Sequence, residues 1–204
     1  MSRNLNADEN EGASTVRRKI QREFSPIRIV VLSFMLVITT GGILLSLPIS
    51  HAGDAPVAVL DAFVTAVSAV CVTGLVTVTT ASTWSLFGKI VIMLLIQIGG
   101  LSLVTVLTFF MVNIGKKISL KNRLAIQAAL NNSSLGGMVR MVLFVIKGTL
   151  VIELTGAAVL FVSFLGQGIA WKKALFYGVF HSISTFCNAG FDIIGEKSLM
   201  PYSG

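Results

Sequence analysis

Two short stretches hold the residues whose types and spacing allow chemistry. Ser68-Ala-Val-Cys-Val-Thr-Gly-Leu75 closes an apolar segment that begins near Val57, and Ser184-Thr-Phe-Cys-Asn-Ala-Gly-Phe191 closes one that begins near Ala174. An offset of 116 residues (187 − 71) lays Cys187 on Cys71, Ser184 on Ser68 and Gly190 on Gly74. A helix that ends at such a point presents about half a negative charge there. A glycine-containing extended segment can then turn its carbonyls inward, because no Cβ obstructs the backbone angles needed. Together these replace the water around a dehydrated cation, which is how ion filters are built. A glycine that merely ends a helix is the commoner case. The duplication at one register, each time after a short apolar helix, favours the carbonyl reading, with Cys71, Val72, Thr73 and Gly74 and then Cys187, Asn188, Ala189 and Gly190 as the oxygen donors.

Other polar residues carry less. Cys71 and Cys187 are expected to be small buried residues beside the filter rather than redox or metal groups. His181 lies six residues before Cys187, a spacing that puts them on different helix faces, and no third group orients them, so a nucleophilic pair and enzymatic activity are not expected. Asp61 suits the favourable end of its helix dipole. Asp192, just past the second glycine, could draw cations to the outer mouth or be a solvated loop carboxylate. Glu153 stands within an apolar run, where a carboxylate is costly and needs a partner or a function. Lys147, six residues away, does not face it on one helix. A structural hydrogen bond across helices is expected for Glu153, ahead of a place on the cation path.

The elements that must position these residues are membrane helices. The 204 residues are 54% hydrophobic and 12% charged, and the mean hydropathy is +0.85. Soluble domains carry roughly 25% charged residues, so the chain is expected to be an all-α integral membrane protein. The net charge of +7 lies between apolar spans, which excludes a nucleic-acid surface. Two cysteines set no disulfide framework. No signal peptide is expected, since the first apolar run starts near Ile29 without a cleavage site.

Residues 1–25 read as a polar and basic cytosolic tail whose Arg17–Arg22 cluster meets anionic lipid. Residues 26–115 read as a helix, a re-entrant pore helix and a second helix. The first span is expected over about Ile29–Leu47, stopped by Pro48. The pore helix is expected near Pro56–Val70, opened by Asp54-Ala-Pro and too short to cross. A long helix is expected from Thr83-Trp84 to about Ile114, with Trp84 in the outer headgroup belt and Gln97-Ile-Gly-Gly100 supplying small residues for close packing. Residues 116–137 form a basic cytosolic linker. Residues 138–204 read as a second repeat, with a span over about Val139–Leu165, Trp171 at an interface and a second pore helix. Its last helix is missing, so the chain is expected to be one repeat and most of another. Eleven basic residues on one side against Lys172, Lys173 and Lys197 on the other place the N-terminus in the cytoplasm of a multi-pass plasma-membrane protein. Both pore helices then dip in from outside.

The two filter stretches resemble the first and second filter motifs of the Trk/Ktr/HKT superfamily of potassium transporters. Leu-Pro-Ile-Ser50, Gln-Ile-Gly-Gly100 and Gly-Lys-Lys-Ile-Ser119 are most similar to the Ktr-type membrane subunit. The resemblance implies potassium uptake, often with sodium as a coupling or activating ion, by a subunit with four repeats around one pore, of which this chain is the N-terminal part. It further implies a homodimer seated on a cytosolic nucleotide-binding regulatory subunit, with no cofactor. Glycine at the filter position is the family's potassium-selective choice, and Gly74 and Gly190 match it. Cys187, where asparagine or serine is frequent, and Ser102, where glycine often follows Gly-Gly-Leu, depart from the pattern without removing a carbonyl. The competing reading is a non-transporting membrane scaffold or regulatory fragment that keeps the fold. A re-entrant-loop channel for neutral solutes fits less well, since such channels usually pair loops from opposite faces.

Overall fold

The computed structural model describes residues 26–53, 57–101 and 138–195. Among these every named element is helical: α1 Pro26–Ser46, a 3₁₀ turn Pro48–Ser50, α2 Val59–Cys71, α3 Thr80–Thr83, α4 Leu86–Gly100, α5 Met138–Gly166 and α6 Trp171–Phe186. The basic tail, the Asp54-Ala-Pro helix start, Ser102, the 116–137 linker and Lys197 lie outside the described residues.

Apolar side chains point outward along the helices, among them Met35, Leu36, Phe144, Val151, Leu154 and Val162. That pattern is unsuited to water and suited to lipid. Within α5, Val142–Gly166 is long and apolar enough to cross a membrane. The chain is therefore an all-helical membrane protein. α2, with 13 residues, measures about 20 Å at ~1.5 Å per residue and falls short of the ~30 Å hydrocarbon layer.

One apolar core joins the two halves of the chain. Leu45 of α1, Ala66 and Val70 of α2, Ile92 and Ile96 of α4 and Phe180 of α6 share it with Phe191 and Ile193. α4 packs on both α2 and α6, while α1 packs on α2 and α5 on α6. Small residues permit the close approaches: a Cβ on Gly42 would meet the Phe63 ring, and one on Gly178 would meet the Ala157 carbonyl of α5.

Two expectations change around Trp84. The helix expected from Thr83-Trp84 starts a little later, at Leu86, because Ser85 caps α4 by accepting from Gly88 N (3.2 Å) while donating to Ile49 O (2.6 Å). α4 is described to Gly100, and the remainder of that expected span lies outside the described residues. Trp84 is fully buried instead of lying in a headgroup belt. Its segment pairs with the loop after α1, through an antiparallel bridge to His51 and the bonds Ala52 N to Thr83 O and Ser85 N to Ser50 O, both 2.9 Å. Gly88 leaves room for the indole. Trp171 does stand exposed, with the Lys172 ammonium 5.6 Å above its ring.

Candidate functional site: two opposed glycine turns

α2 and α6 end alike. Beyond α2, Val72 adopts φ 56° and Gly74 φ 71°; beyond α6, Asn188 adopts φ 56° and Gly190 φ 70°. Thr73 N bonds Ser68 O at 3.0 Å, and Ala189 N bonds Ser184 O at 2.7 Å. These are corresponding atoms at the 116-residue offset. Each turn thus closes as a helix-terminating motif with a left-handed residue directly after the last helical or capping residue. Asparagine tolerates that region, whereas a β-branched valine there is an outlier. Strain of this kind collects where surrounding structure fixes the backbone for a purpose. Val72 and Asn188 are among the carbonyl donors expected from the sequence, but their left-handed backbone is not; their shared register beside Cys71 and Cys187 was the available signal.

The two turns touch. A Cβ on Gly74 would lie 2.8 Å from Ala189 O and 3.4 Å from Gly190 Cα, and one on Gly190 would lie 3.4 Å from Gly74 Cα. Glycine is required on both sides by φ, and at Gly74 also by space. Side chains brace each loop. Ser68 Oγ and Thr73 Oγ1 share a hydrogen bond of 2.9 Å, and the buried Ser184 Oγ donates to Phe191 O at 2.7 Å. From α4, Gly99 abuts the Val70 carbonyl and Gly100 abuts Cys187, so the Gly-Gly pair carries the ends of both short helices.

Cys187 is half-buried against Gly100, but Cys71 is exposed, contrary to the expected burial of both. Cys71 is the last residue of α2 and, next to the buried Val70, falls on a different face of the helix. His181 is buried in α6 and lies apart from any nucleophilic pairing. Its Nδ1 donates to Tyr177 O (2.7 Å), since a carbonyl can only accept, and Nε2 is left to accept from Ile193 N at 3.4 Å. The ring thereby anchors the strand-like segment beyond Gly190. Asp61 lies in the first turn of α2. Asp192 accepts from Ile194 N at 2.7 Å and lines a cavity of about 390 Å³ with Val76–Thr80, Gly190, Phe191 and Gly195. That cavity opens beside the glycine turns.

Glu153, on α5, accepts at Oε2 from Gln97 Nε2 of α4 (3.1 Å), and its main-chain carbonyl accepts from Ser182 Oγ of α6 (2.6 Å). Lys147 is exposed on α5. Among the described residues no group of three or more His, Cys, Asp or Glu side chains could hold a metal ion.

The sequence has known relatives. It is 36% identical over 184 residues to the potassium/sodium uptake protein NtpJ of Enterococcus hirae, covering 90% of this chain and 41% of that protein. It is 41% identical over 181 residues to the Ktr system potassium uptake protein B of Bacillus subtilis, covering 89% of this chain and 40% of that protein. The protein of that name from Vibrio alginolyticus is 34% identical over 172 residues, 84% of this chain and 37% of its own. The chain thus spans about two-fifths of the length of these relatives, which are transporters and not enzymes. The profile of the TrkH cation transport proteins matches residues 9–204. The chain belongs to the TrkH cation transport protein family, within its Ktr-type membrane subunits.

Proposed function

We propose that this chain is the N-terminal part of a potassium uptake subunit whose filter is built from the main-chain oxygens of Cys71–Gly74 and Cys187–Gly190. The observation that supports this most is the contact between Gly74 and Gly190, each following a helix end and a left-handed residue. Two helix C-termini at one point supply about half a negative charge each, and carbonyls supply the field that substitutes for hydration. The names of the relatives, uptake proteins for potassium or for potassium and sodium, agree with a monovalent cation as substrate.

In this reading residues 26–115 and 138–204 are successive helix–pore-helix–helix repeats, the second without its last helix, with 1–25 as a cytosolic tail and 116–137 as a cytosolic linker. α2 and α6 are pore helices that dip in from the outer side, and the Asp192 cavity is part of the outer mouth. The N-terminus is cytoplasmic, and the full-length subunit forms a homodimer on a nucleotide-binding cytosolic partner. Sodium acts, where it acts, as a coupling or activating ion.

The test is uptake by the full-length protein in cells deprived of their own potassium systems. Gly74→Ser is expected to lower the preference for potassium over sodium in the uptake that remains. An unchanged preference contradicts the filter assignment, and absence of any potassium uptake by the unaltered protein favours the scaffold reading.

A further inference from the structure

Three buried side-chain polar atoms have no hydrogen-bond partner among the described residues: Trp84 Nε1, Gln97 Oε1 and Glu153 Oε1. The indole is isolated, but the other two belong to residues already joined to each other. Gln97 Nε2 donates to Glu153 Oε2 at 3.1 Å, leaving one oxygen on each side. Glu153 is only 6% exposed. A carboxylate has acceptors alone, and so has the amide oxygen. With Glu153 ionised, two buried acceptors and a full charge would stand without compensation, a costly arrangement in a helix interface. A single proton on Glu153 removes the charge and turns Oε1 into a donor for Gln97 Oε1. A neutral acid and an amide can make two parallel hydrogen bonds with each other, one of which, Gln97 Nε2 to Glu153 Oε2, is already in place.

We propose that Glu153 is a proton-binding site: it takes one proton from water and, as a neutral acid, closes a two-bond pair with Gln97. A neutral carboxylic acid used as a donor in a protected site has precedent in general protein chemistry. The pair ties α5 to α4 three residues before the Gly100 that carries Cys187. The same residue ties α5 to α6 through Ser182 Oγ. Glu153 is thus a positioning residue for the second glycine turn: its side chain, paired with Gln97, holds α5 to α4, while its main-chain carbonyl holds α6 whatever the protonation state.

No other ionisable group bonds to it. On α6, Cys187 is an ionisable neighbour of Glu153 without a hydrogen bond to it and packs against Gly100, while His181 is engaged with Tyr177 O and Ile193 N. Lys89 on α4 donates to Ala81 O at 2.6 Å. Lys147 on α5 itself is exposed. Among the described residues the one acid–base contact given is His181 Nε2 to Asp192 Oδ1, at 3.8 Å, an ion pair only if the ring is protonated, and it leaves Glu153 aside.

The experiment uses the purified full-length protein, wild type and Glu153→Gln. Infrared spectra at neutral pH are expected to show a protonated-carboxyl band that shifts in D₂O and is missing from E153Q. E153Q is expected to fold and to keep most of the wild-type uptake, since a second amide makes both bonds with Gln97. Its melting temperature should stay flat as pH is raised, whereas that of the wild type should fall once the proton is lost. Absence of the band overturns the proposal. So does an E153Q protein that fails to fold or loses uptake while Glu153→Asp keeps it, because the carboxylate charge, as in a metal-cation site, would then be what matters. The infrared and melting readouts need no transport and do not depend on the filter reading.

Discussion

Replacing Gly74 by alanine should damage the protein more than the same change at Gly190, although the two glycines share almost one backbone conformation. Both substitutions force a Cβ into the left-handed region, at φ 71° and 70°, which costs roughly 1–2 kcal/mol. They differ in what the methyl group meets. At Gly190 the nearest atom is Gly74 Cα at 3.4 Å, an ordinary contact. At Gly74 it is the Ala189 carbonyl oxygen at 2.8 Å. Restoring 3.4 Å would require that oxygen to retreat by about 0.6 Å, a large step in a packed interior. Ala189 cannot yield easily: it is fully buried and its N–H is held by Ser184 O at 2.7 Å. If 1–3 kcal/mol of the resulting distortion falls on the potassium-bound state, binding changes by about 5–150-fold. The assay is rubidium uptake competed by potassium and by sodium, with expression measured in parallel. G74A should lose more discrimination than G190A. Equal effects, or a harmless G74A, would refute the reasoning from contact geometry.

Three further outcomes follow from the braces around the turns. Ser184→Ala should destabilise by about 1–3 kcal/mol, because it strands the buried Phe191 carbonyl, while Ser68→Ala should lose only about 0.5–1.5 kcal/mol beside the exposed Thr73; denaturant titration in detergent compares them. Asn188→Val should cost roughly 1–2 kcal/mol by placing a β-branched residue at φ 56°, and Asn188→Gly much less, read as a shift in melting temperature. Gly99→Ala should reduce folded yield and uptake together, since its methyl group would press on the Val70 backbone at the end of α2, and a Gly99→Ala protein with normal yield and uptake would contradict the wedge role.

The sequence showed the placement of the site better than its local geometry. Matched Ser, Cys and Gly residues at one offset were visible because the chain reuses one helix-ending device, and the structure sets those glycines against each other. The left-handed Val72 was not visible, since valine is a poor residue for that region and only tertiary packing can hold it there. Trp84 misled because tryptophan favours headgroup belts in general. The local pairing of Ser50–Ala52 with Thr83–Ser85 buries it, and Ser85 sets the helix start just beyond it by capping α4. The partner of Glu153 was equally hidden. Spacing on one helix could exclude Lys147, but Gln97 lies 56 residues away on another element. Cys71 shows the limit of residue type as a guide to burial, for it follows the buried Val70 and is exposed.

The most direct measurement is the position of rubidium or thallium, by anomalous scattering, in crystals of the full-length protein. The account predicts a peak ringed by main-chain oxygens of residues 71–74 and 187–190. A strong peak elsewhere in the membrane region, with nothing between the two glycine turns, would contradict it.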